Sequence, residues 1–144
     1  MKVHQAMTND VCIADPEQTI REAARTMAEI DAGALPVGEN DRLIGMITDR
    51  DIAVRAVAAG QPPDTKIRDV MSKEVLYCFE DEDLDRVAKN MGDIKVRRLP
   101  VLNRDKRLVG ILSIGDLIHR DSKTGGKAIA HISEHGGAHS QAAA

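Results

Sequence analysis

Residues 45–51 read GMITDRD and residues 110–116 read GILSIGD. Both stretches open on glycine, continue with two apolar residues and a small hydroxyl residue, and close on aspartate. Displacing the sequence against itself by 64 residues sets VHQAMT (3–8) on IRDVMS (67–72), Ala24 on Ala88, Met27 on Met91, Ile30 on Ile94, and LPV (35–37) on LPV (99–101). One additional loop residue raises the offset to 65, which sets Arg42 on Arg107, Leu43 on Leu108, Gly45 on Gly110, Asp51 on Asp116 and Arg55 on Arg120. Matches that keep their order over about fifty positions define a duplicated unit rather than two accidental motifs. The heptapeptides are its ends.

Each copy can be laid out from its pattern. VCIA (11–14) reads as a short strand, and TIRE (19–22) as a capping box in which the Thr19 hydroxyl and the Glu22 carboxylate satisfy free backbone donors at a helix start. Ile20, Ala23, Ala24, Met27 and Ile30 form one apolar stripe at helical spacing. Strands ALPV (34–37) and LIGMI (43–47) follow, joined by the hairpin GENDR, and a second helix is expected from Asp51 to Ala59 with Gly60 at its end. The second copy has Asp83 as cap, a stripe of Leu84, Val87, Ala88, Met91 and Ile94, strands RLPVL (98–102) and RLVGILS (107–113), and a last helix opened by Asp116. The expected organisation is a first motif over 3–60, a linker over 61–66, a second motif over 67–121, and a flexible tail over 122–144. The fold class is α/β (α+β), each unit running strand, helix, strand, strand, helix. Neither copy has enough sheet to cover its own stripe, so the two are expected to pack face to face around a shared core.

Composition narrows the function. The chain has 144 residues, 42% of them hydrophobic but only 1% aromatic, so Ile, Leu, Val, Met and Ala must fill the core. A net charge of −3 argues against attraction to nucleic acid backbones. Cys12 and Cys78 form no CxxC or Cys/His pattern and read as reduced thiols in strands. The beginning MKVHQAMTND has no apolar run of the signal-peptide kind, and no stretch is long and apolar enough for a membrane span, so a cytoplasmic protein is expected. There is no GxSxG, HExxH or GxxxxGK motif, and no enzyme is expected.

The heptapeptide straddles a strand-to-helix junction, where free amide donors favour anions. Thr48 or Ser113 can donate to a phosphate there, while the carboxylate of Asp51 or Asp116 can accept from the vicinal hydroxyls of a ribose. The same residues also suit an ordinary helix cap, and capping does not exclude binding. Asp49 with Asp51 leaves a Mg2+ reading open beside that of plain helix-start acids. His131, His135 and His139 recur at zinc-ligand spacing, but Gly136 and Gly137 interrupt the helix such a site needs. No metal is expected.

The strand-helix-strand-strand-helix unit, the LPV strand and the Gly, Thr/Ser, Asp junction resemble the CBS domain, and the tandem resembles a CBS pair, or Bateman module. The resemblance covers residues 3–120. It implies a pseudo-two-fold pair with two clefts for AMP, ADP, ATP, NAD or S-adenosylmethionine, no catalysis, homodimers and a regulated protein partner as yet unidentified. Carried over by position, it gives one cleft with Ile13, Ala14 and Leu35 at the adenine, Thr48 at the phosphate and Asp51 at the ribose. The other has Tyr77, Leu99, Ser113 and Asp116. The family often supplies basic residues from the strand before LPV in the partner unit. VRRLPV offers Arg97 and Arg98, where AGALPV offers only Gly33 and Ala34, so a single stronger site, containing Asp51, is expected. A structural dimerisation scaffold with empty clefts is the alternative.

Overall fold

In the computed structural model, residues 1–120, 126, 127, 129, 130 and 132 are described. His131, His135 and His139 lie outside them, as does most of the expected tail. The elements are α1 (Val3–Ala6), α2 (Ile20–Ile30), β1 (Ala34–Glu39), β2 (Arg42–Thr48), α3 (Asp49–Asp51), β3 (Cys78–Phe79), α4 (Leu84–Ile94), β4 (Arg98–Leu102), β5 (Leu108–Ser113) and α5 (Ile114–Arg120). Helix α3 continues as a π-helical stretch, Ile52–Val57, and a single 3-10 turn spans Ile67–Asp69. Thr48 caps this helix, which begins at Asp49, two residues earlier than expected. Its π spacing has no signal in the sequence IAVRAV.

The chain divides into two compact units whose boundaries cross those of the repeats. One is Cys12–Val75; the other joins Met1–Val11 to the described residues from Leu76 onward. The segment leading each repeat therefore belongs to the unit that holds the other repeat's body. Val3 and Ala6 are buried in the core with Leu84, Val87, Met91, Leu99 and Leu112. Ile67, Val70 and Met71 are buried with Ile20, Met27, Leu35 and Ile47. Each unit thus has a core of its own. What each body lacks in sheet is supplied by an exchanged leader, and burying a side chain such as Val3 contributes roughly 1.5–3 kcal/mol.

Helix starts show the same exchange. The first amides of a helix have no partner within it, and here the chain ahead of each leader supplies one. Ile20 and Arg21 donate to the carbonyls of Thr65 and Pro63 at 2.9 and 3.2 Å, and Leu84 donates to the Met1 carbonyl at 2.9 Å. The stretch expected as a linker, 61–66, is therefore docked on α2. Thr19 caps α2 by accepting from the Glu22 amide at 3.1 Å, whereas Asp83 makes no side-chain cap bond to α4. Ala24 and Ile30, at the edge of the expected stripe, are exposed; Ile20, Ala23 and Met27 are buried.

In the Cys12–Val75 unit β1 and β2 form an antiparallel hairpin turned by Asn40 and Asp41, both left-handed (φ 55° and 62°) as a tight hairpin turn demands. In the composite unit β3 pairs parallel with β4, and β4 antiparallel with β5. The expected strand at 11–14 shrinks to one parallel bridge, Ala14 with Val37, because Val11 belongs to the other unit and Pro16 follows closely.

Space for each leader comes from the heptapeptide glycine. A Cβ on Gly45 would stand 2.8 Å from the Ser72 carbonyl oxygen, and one on Gly110 would stand 2.9 Å from that of Thr8. Met71 and Met7 sulfurs lie closer still, at 2.7 and 2.6 Å. At Gly115, by contrast, the nearest atom is an ordinary 3.5 Å away. Gly45→Ala and Gly110→Ala should each destabilise the protein by about 1–3 kcal/mol, the usual cost of overpacking, in thermal denaturation that leaves Gly115→Ala nearly unchanged.

The cysteines separate in the same way. Cys78 is buried in β3, while Cys12 is exposed and outside any strand. Burial, with the Glu82 carboxylate adding to it, pushes the Cys78 thiol from 9.0 up to about 12. The buried thiol thus favours the folded state fully below pH 9 and loses that contribution as pH rises toward 12. At about pH 8 iodoacetamide should label the exposed Cys12 in the native protein and the buried Cys78 only after unfolding, as read by mass spectrometry.

Candidate ligand-binding junctions

Strand β2 ends at Thr48 in extended backbone (φ −117°, ψ 161°), and the chain turns directly into α3. The Thr48 amide donates to Asp51 Oδ2 at 3.0 Å, and the Asp51 amide donates to Thr48 Oγ1 at 3.0 Å. Ser113 and Asp116 repeat the arrangement at 3.0 and 3.1 Å. Both junctions are thus reciprocal capping boxes, with Asp in the place more often taken by Glu.

The boxes leave specific atoms over. Each hydroxyl accepts in the box and keeps its own proton to donate; each aspartate has one further oxygen. Asp51 Oδ1 faces Arg55 Nε at 3.7 Å, with the Asp51 side chain 14% exposed. Asp116 Oδ1 instead accepts from Thr8 Oγ1 at 3.2 Å. Thr8 and Arg55 are neighbours of the two carboxylates that the motif reading missed. Arg55 was signalled by its i,i+4 spacing from Asp51, and Thr8 by its alignment with Ser72.

The residues ahead of LPV close against the same junctions. Asp49 donates its amide to the Gly33 carbonyl at 2.9 Å, and Ile114 donates to that of Arg97 at 2.9 Å. Arg98 pairs with Ser113 in the β4–β5 register, as Ala34 pairs with Thr48. Arg97 and Arg98 are exposed and stand beside the junction of their own unit. A Cβ on Gly33 would lie 3.0 Å from Asp49 Oδ2, so an arginine counterpart in the first repeat would crowd that carboxylate.

Of the expected apolar contacts, Ala14, Leu35 and Leu99 are core residues, 4%, 2% and 2% exposed. Ile13 and Tyr77, equivalent in the repeat, are 41% and 43% exposed and present apolar surface. Tyr77 packs edge to face on Phe79 at 5.6 Å. Beside Arg55 opens a cavity of about 650 Å³ lined by Arg68, Asp69, Met71, Ser72, Lys73 and Glu74 as well. Among the described residues no three His, Cys, Asp or Glu side chains gather as a metal site, so the Asp49–Asp51 pair stands without a third ligand.

A mixed α/β unit built twice, with a capped strand-to-helix junction in each copy, defines a tandem α/β repeat. The CBS domain model matches residues 3–57 and 67–123, and the chain belongs to that family. CBS domain-containing protein YhcV of Bacillus subtilis is 38% identical over 133 residues, 91% of this chain and 94% of that one. The crystal structure of Hypoxic Response Protein I with two coordinated zinc ions superposes with a TM-score of 0.73 at 33% identity, covering 83% of this chain and 98% of that one. The CBS domain pair of protein MJ0100, in complex with 5'-methylthioadenosine and S-adenosyl-L-methionine, gives a TM-score of 0.74 at 27% identity over 85% and 97% of the two chains.

Proposed function

We propose that this protein is a regulatory module that binds an adenine nucleotide of the AMP, ADP or ATP class at the Thr48–Asp51 junction and signals by a change of conformation or association. The observation that carries the reading is the leftover chemistry of that box: a hydroxyl proton for a phosphate and a second carboxylate oxygen, 3.7 Å from Arg55, for a ribose diol. The two ligands of the MJ0100 pair both carry an adenosine diol, which supports an adenosine-bearing ligand; S-adenosylmethionine and NAD are its other members. Arg97 and Arg98, the basic pair that the first repeat lacks, stand beside the Ser113–Asp116 junction of their own unit and carry no part of the reading at Asp51. A ligand acts as a switch to the extent that it binds one arrangement better than another.

The protein is assigned here to the cytoplasm, as a homodimer without catalytic activity that passes its signal to a regulated protein. Val54 and Val57, 51% and 69% exposed on the π-helical stretch, give self-association an apolar surface. No helix of the described residues is long and apolar enough to cross a membrane. One observation favours the scaffold alternative: both boxes are complete as caps without a ligand.

Thermal shift and calorimetry separate the two readings. A ligand at 100 times its Kd adds about 2.7 kcal/mol of stability, so AMP or ATP should raise the melting temperature, and no shift with these, NAD or S-adenosylmethionine would favour the scaffold. Asp51→Ala and Asp116→Ala each remove the carboxylate half of a cap, a loss of about 1 kcal/mol, and Asp116→Ala loses the Thr8 hydrogen bond as well. Nucleotide binding should fall steeply in Asp51→Ala and stay near wild type in Asp116→Ala. Equal losses would refute the asymmetry.

A further inference from the structure

We infer that Thr8 sets the inequality of the two junctions, its hydroxyl donating to the one carboxylate oxygen of Asp116 that a ribose diol would need. The inference rests on the nucleotide reading above and deepens it by naming a residue that selects which junction accepts the ligand.

The two copies provide an internal comparison. Thr8 exchanges backbone hydrogen bonds with Ile111, donating at 2.9 Å and accepting at 3.0 Å; Ser72 does the same with Met46, at 2.9 and 3.0 Å. The leaders therefore lie at the same place on the two sheets, with Gly110 and Gly45 giving them room. Only the side chains behave differently. Thr8 Oγ1 donates to Asp116 Oδ1 at 3.2 Å, and the Ser113 amide holds Oδ2 at 3.0 Å, so both carboxylate oxygens of Asp116 are engaged by the protein. At Asp51 the Thr48 amide holds Oδ2, while Oδ1 meets Arg55 at 3.7 Å, beyond hydrogen-bond range.

The β-branch accounts for the difference in kind. The β-branch restricts threonine's χ1, which favours keeping its hydroxyl on the carboxylate, a restriction that serine lacks. Arg55 does not obstruct in the same way: its side chain is 54% exposed and long enough to swing toward a bound phosphate. A diol arriving at Asp116 must displace a charge-assisted hydrogen bond that a diol at Asp51 does not meet. The expected penalty is about tenfold in affinity, the scale of one such bond near the surface.

The test is isothermal calorimetry of the full chain with AMP, comparing wild type, Thr8→Val and the double variant Thr8→Val/Asp116→Ala. Thr8 is exposed, so valine should be tolerated; Thr8→Ala replaces it if the melting temperature drops. Wild type should show one strong event per chain, and Thr8→Val should tighten a second event about tenfold, a gain that the double variant loses. A Thr8→Val isotherm identical to wild type, or one whose second event is weaker, overturns the role of Thr8 while leaving the Asp51 junction standing. Absence of AMP binding in every variant overturns the nucleotide reading itself, and this inference falls with it.

Discussion

A glycine without a side chain, placed where another strand of the same chain must pass, is the constraint on which this architecture depends. Gly45 and Gly110 admit the backbones of Ser72 and Thr8 to distances at which a Cβ would collide. Each leader then lays its apolar residues into a core it could not otherwise reach. The repeated heptapeptide is explained first as packing: its glycine receives a leader, and its hydroxyl and aspartate start the following helix. A duplicated sequence thereby becomes two units that trade their opening segments, each needing the other repeat to complete its core.

The same short phrase carries the chemistry of the proposed site. Capping consumes one acceptor on the hydroxyl and one carboxylate oxygen, leaving the hydroxyl proton and the second oxygen for a ligand. In the proposed function, structure and binding are thus superposed on the same two side chains. Differences between the copies then arise in what surrounds the surplus oxygen, a hydroxyl in one unit and a guanidinium in the other. Polar ties at the surface add geometry more than stability. Lys66 first and then Arg68 hold the exposed Glu17 carboxyl below its usual range, pinning the segment after Gly60 to the loop before α2.

Much of this was legible in residue order. The helical stripe of α2, the LPV strands, the hairpin at Asn40 and Asp41 and the Thr/Ser to Asp junctions follow from local periodicity and turn chemistry, which short stretches specify by themselves. The exchange of leaders was not legible, because VHQAMT and IRDVMS are nearly equivalent and either suits either body. Buried Leu35 and Leu99 read as ligand contacts for a similar reason: position along a motif does not tell which face of a strand points into the core. The 11–14 strand was overestimated since apolar content cannot reveal that the chain changes unit at Val11. Thr8 was hidden from the site by 108 residues of sequence separation from Asp116.

Amide hydrogen exchange on Val3→Ala tests the exchanged leaders most directly. Val3 is fully buried in the core that includes Leu84, Met91 and Leu112, although it opens the repeat whose own helix is α2. The account predicts that this truncation lowers protection chiefly across residues 84–117. Protection lost chiefly across residues 20–56, the body contiguous with Val3 in sequence, would contradict it.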